Sequence, residues 1–120
     1  MKKVLFLPLL FLYSVCSGQI VDGVNLAEQK TVEYVEILGI NTGVFKKKVV
    51  VIVDYGQKIK LYDTDTRVED TDGKSIIFNS MMDAVNQFNG WGWELMFAYP
   101  VSEGQVNSVY HYVMRRKKSE

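Results

Sequence analysis

The stretch "SMMDAVNQFNGWGWEL", residues 80–95, holds a helix, its stop and the start of a strand. Ser80 with Asp83 three positions on matches a capping box, in which side chains satisfy the orphan N–H groups of a first turn. Met81, Ala84, Val85 and Phe88 recur at spacings of three, one and three, which gives a helix one apolar face. The two methionines read as core filler. Asn89 stands where the helix must stop, and asparagine is second only to glycine in tolerating a left-handed cap. Asn89, Gly90 and Gly92 then let the backbone reverse. The following "WELMFAYPV" alternates, with Trp93, Leu95, Phe97 and Tyr99 on one face and Glu94, Met96 and Ala98 on the other. Trp93 is therefore expected as the first inward residue of a strand, covering the end of the helix. Ser80, Asn89, Gly92 and Trp93 are the structural residues of this bend.

Strands flank it on both sides. Upstream, "KTVEYVEILGI" has apolar residues on both parities, "NTG" at 41–43 supplies a turn, and "FKKKVVVIVDYGQ" contains a β-branched run suited to a strand covered on both faces. Lys46, Lys47 and Lys48 fit a solvated strand end that discourages edge pairing. Downstream, "SEGQVNS" turns the chain into a last strand, "VYHYVMRRK". The expectation is an α+β domain over residues 30–118. It has a small antiparallel sheet of about four strands, order β-β-α-β-β, with one helix on one face. A short extra hairpin is expected at Asp72-Gly73. One helix covers one face only, so the second face calls for a partner, and a homo-oligomer is the simplest.

The N-terminus reads differently. Lys2 and Lys3 precede an apolar run from Val4 to Val15, closed by Ser17 and Gly18, which is the layout of a secretory signal peptide over residues 1–18. Twelve residues of helix span roughly 18 Å, too short for a hydrocarbon core of about 30 Å. The expected location is periplasmic or secreted. The alternative is a lipid anchor through Cys16, the one route to membrane contact, and Val15 before the cysteine fits that poorly. Residues 19–29 lack periodicity and read as a flexible lead-in.

Losing Lys2 and Lys3 leaves 12 basic residues against 14 acidic ones, a balance that disfavours nucleic acid. With Cys16 removed no cysteine remains, so the domain depends on its core rather than on disulfides. The acidic segment "YDTDTRVEDTDGK" fails the calcium-loop spacing: counted from Asp63, the fifth position is Arg67 and the twelfth is Lys74. His111 is the single histidine, so a Cys-His pair and multi-histidine zinc sites are excluded. No metal, cofactor or catalytic residue is assigned, and the chain reads as a non-enzyme.

The segment "VNQFNGWGWEL" is similar to L-N-x-L-G-x-x-G-W-E-L, the hallmark of a small bacterial domain family without assigned function. Val85 and Phe88 take the leucine places, and Gly92, Trp93, Glu94 and Leu95 match outright. "VDYGQ", "FNSMMDAVN" and "VYHYVMRRK" resemble segments of short exported proteins of Gram-negative bacteria. The resemblance spans most of residues 30–118 and implies a fold rather than an activity. Trp91 falls outside its pattern.

The functional expectation is an exported, non-catalytic binding or interaction module of the envelope. Its partner is a protein, peptide or glycan, met through exposed aromatics: Trp91, Tyr110 and Tyr112. The alternatives are a self-associating structural component and, least favoured, a small hydrolase.

Overall fold

A computed structural model describes residues 19–41, 48–58, 66–103 and 107–118. Residues 1–18, expected as a signal peptide, and the "NTG" turn beyond Asn41 lie outside the described residues, as do Lys46, Lys47, Asp63 and Asp65.

The domain is α+β, with two antiparallel sheets and one α-helix among the described residues. Strand β1 (Ile20–Val21) and β2 (Val24–Asn25) form a tight hairpin, followed by a 3-10 turn at Leu26–Glu28. Then come β3 (Tyr34–Asn41), β4 (Val49–Asp54), β5 (Val68–Glu69), β6 (Ile77–Phe78), α1 (Met81–Gly90), β7 (Trp93–Glu103) and β8 (Asn107–Arg116). The larger sheet has the order β6-β4-β3-β8-β7, and the smaller one is β2-β1-β5. The anticipated β-β-α-β-β thread is β3, β4, α1, β7 and β8. The four-stranded expectation is too coarse, because β6 adds a fifth strand beside β4 through Val49–Phe78 and Val50–Ile77.

Alternation along the strands splits the larger sheet into two faces. Val35 and Ile37 of β3, Val49, Val51 and Val53 of β4, Phe78, Trp93 and Met114 are buried beneath Ala84, Val85 and Phe88 of α1. Gly39 lies under the helix N-terminus, where an added Cβ would run into the Met81 side chain. Among the described residues, the opposite face carries no helix.

Residues 19–29 correct the lead-in expectation. They form the β1–β2 hairpin and the 3-10 turn, with Val21 and Leu26 in the core. Asp22 and Gly23 both take positive φ (49° and 74°), the two-residue turn that an Asp-Gly pair favours. Arg116 fastens the turn down: its guanidinium donates to the carbonyls of Val32, Leu26 and Gln29 at 2.9–3.0 Å. The same group lies 4.5 Å above the Trp93 ring, a cation–π contact.

The Asp72-Gly73 turn is present. Asp70 Oδ1 accepts from the N–H groups of Asp72 and Lys74, and a bridge pairs Glu69 with Ser75. The Asp70 carboxylate organises that turn, and among the described residues no three His, Cys, Asp or Glu side chains group to hold a metal ion. Among the described residues, no helix is long and apolar enough to cross a membrane.

Candidate interaction surface

The bend residues fall into place first. Ser80 is the N-cap of α1: its Oγ accepts from Asp83 N–H at 3.1 Å. Asp83 reaches back one residue further than a standard capping box, accepting from Asn79 N–H at 2.9 Å. The expectation for Asn89 needs correction. It stays inside the helix, and the left-handed residue is Gly92 at φ +100°, preceded by Trp91 as the C-cap. Asn89 instead receives the Lys117 ammonium on its backbone and side-chain oxygens, at 2.9 and 2.7 Å. Trp93 is fully buried, and its indole N–H donates to Gln19 Oε1 at 3.2 Å.

Trp91, Tyr110 and Tyr112 do not form one aromatic platform. Trp91 packs against the core, with its ring 5.0 Å from Phe88 and 6.5 Å from Phe78. Its carbonyl accepts from the Gln19 amide at 3.0 Å. Tyr112 lies on the helix-side face of β8, opposite Ala98, and packs against the core. Tyr110 is exposed on that same face, opposite Pro100, beyond the reach of α1. From Arg116, which pairs with Trp93, to Tyr112 is four residues, or about 13 Å along the strand.

Tyr34, Ile40, Ile77, Phe97 and Tyr99 are exposed together on the other face of the larger sheet, while Met82, Leu95 and Tyr110 are exposed elsewhere. β3 presents Tyr34, Glu36, Leu38 and Ile40 there, and β4 presents Ile52 and Asp54 beside Val50, which is buried. β6 adds Ile77, and β8 adds Val109, His111, Val113 and Arg115. A β-bulge between Leu95 and Phe97 decides what β7 contributes. One extra residue, Met96, reverses the alternation, so Trp93 and Leu95 share the parity of buried Met114 while Phe97 and Tyr99 turn to the open face. The expectation that Phe97 and Tyr99 point inward with Trp93 fails for that reason. Tyr34 is 54% exposed, Ile40 47%, Ile77 58% and Phe97 57%.

A polar network sits at the centre of this apolar field. Tyr99 O–H donates to Glu36 Oε2 at 2.7 Å, and His111 Nδ1 donates to Glu36 Oε1. A carboxylate has no proton to give, which fixes the donor proton on Nδ1. The Tyr99 and His111 rings stack with centroids 5.2 Å apart, and Phe97 lies 6.2 Å from Tyr99. Partial burial pushes the Glu36 carboxyl up, but the bonds from His111 and Tyr99 outweigh it and hold its pKa below the ordinary 4.5. The same bond raises Tyr99 above its ordinary range. At the edge of the face, Arg115 donates to Glu94 at 2.6 and 3.0 Å.

The sequence singled out His111 only as the lone histidine and gave Glu36 no role. Their juxtaposition depends on the register that sets Leu38 opposite His111 and Glu36 opposite Val113. One signal was available: Glu36 is the lone acid between Val35 and Ile37, on the parity opposite to them. No family model, curated protein or solved structure matches this chain.

Proposed function

We propose that this protein is an exported, non-catalytic interaction module whose working surface is the helix-free face of the five-stranded sheet, and that its partner is a protein. The observation that carries this reading is the exposure, on one face, of Tyr34, Ile40, Ile77 and Phe97 around a satisfied polar centre. Contiguous apolar surface of this kind on a small domain marks an interaction site. The aliphatic share selects the partner class. A glycan stacks on aromatic rings and gains little from Ile40 and Ile77, whereas a protein partner desolvates aliphatic and aromatic groups alike. This reading moves the surface away from Trp91, whose ring is spent on Phe88 and Phe78.

A small hydrolase is the competing reading, favoured by a histidine oriented by a carboxylate. The described contacts of His111 are with Glu36 and Tyr99, neither of them an activated nucleophile.

Capture from an envelope fraction separates the surfaces. Phe97→Glu and Ile77→Glu should abolish capture while Tyr110→Ser, on the opposite face, leaves it intact. The reverse pattern would return the site to the helix side.

A further inference from the structure

We infer that the occupant of the open face is a second copy of this chain, stacked face to face about a two-fold axis running along the strands between β3 and β8. This inference rests on the preceding reading that the open face is the working surface.

Dimension is the first argument. Five strands span about 24 Å, and the six steps from Tyr34 to Ile40 span about 20 Å. That footprint is roughly 500 Å² per copy, so two copies together reach about 1,000 Å² before side-chain relief is counted, the size at which contacts become specific. Charge is the second. On this face Glu36 is held by His111 and Tyr99, and Arg115 by Glu94, all within one copy, so two such faces meet with their central charges already paired. A rotation about the stated axis lays β3 of one copy over β8 of the other. The apolar side chains of Tyr34, Leu38 and Ile40 then lie over the partner's β8, and the same contact recurs at the symmetric position.

The edges argue against the rival geometry, in which copies extend the sheet side by side. Strand β7 is the long edge, and it carries both the bulge at Met96 and Pro100. Each device interrupts the row of groups that an added strand must bond. The opposite edge, β6, is two residues long.

Sedimentation velocity of the purified protein over about 1–100 μM tests this. A dimer that dissociates on dilution is expected, with Phe97→Glu and Ile40→Glu each weakening association at least tenfold. Both positions are exposed, so circular dichroism and melting temperature should stay near those of the parent. Met82→Glu, exposed on α1, should associate as the parent does. A monomer throughout, a dimer indifferent to both face variants, or an open-ended polymer would each overturn the inference. If the protein is monomeric yet loses envelope capture on Phe97→Glu, the second-copy inference fails while the interaction-surface reading stands. Loss of neither association nor capture on the face variants would sink both.

Discussion

At the scale of single residues, two polar contacts tie distant parts of the chain together. Glu36 binds His111 and Tyr99 across three strands. Because its folded pKa is depressed, the stability it contributes is present above the unfolded value of 4.5 and is lost as pH falls through the lower folded value. Glu36→Gln should therefore melt below the parent at pH 7, and the gap should close as both are taken well below pH 4.5. A gap that persists at low pH would show that the carboxylate's charge contributes nothing. Trp93 makes the second tie, through Gln19. Trp93→Ala should cost about 3–5 kcal/mol by urea unfolding, the usual range for a core aromatic. Gln19→Leu should cost about 1–3 kcal/mol, because it leaves the buried Trp93 N–H without an acceptor. A loss well under that in either variant would mean the bend is not sealed from water.

Among the elements, the helix stop and the bulge show what a one-dimensional pattern can carry. The helix was legible because its cap and its apolar face are local: Ser80, Asp83 and the 81-84-85-88 spacing are all within one segment. Its end was misplaced. Asparagine tolerates a left-handed cap, but glycine tolerates it better, and Gly92 was available three residues on. Gly92→Ala should cost at least about 1–2 kcal/mol, since a side chain at positive φ is strained. Asn89→Ala should be milder, losing only the exposed contact with Lys117. Equal losses would put the stop back at Asn89. The bulge had no comparable signal, because its extra residue is defined only by a partner strand. Inserting Met96 sends Phe97 and Tyr99 to the face opposite Trp93, and so creates much of the candidate surface.

Over the whole molecule, the legible part was the β-β-α-β-β thread with its single helix; the peripheral sheet was not. Two-residue strands carry no periodicity, and residues 19–29 looked structureless even though Asp22-Gly23 is a hairpin signal. Candidate site residues were missed for a related reason: an interaction face is a property of register among β3, β4, β7 and β8, and only then of composition. Deleting residues 19–29 should lower the melting temperature substantially, because Val21 and Leu26 leave the core and the Arg116 guanidinium loses two of its three carbonyls. An unchanged melting temperature would make the hairpin a dispensable arm.

The position of Gln19 has a consequence for the maturation of the chain. Cleavage after Gly18 would make Gln19 the first residue, with a free α-amino group able to attack its own side-chain carbonyl, close a pyroglutamate ring and expel the amide nitrogen as ammonia. That nitrogen is the one that donates to the Trp91 carbonyl, and the side chain is buried. Cyclisation and docking are mutually exclusive uses of one amide. A chain that folds promptly keeps its ammonia, and one that lingers unfolded loses it. The intact mass of a chain cleaved there would thus be a clock, recording in one small molecule which of the two events came first.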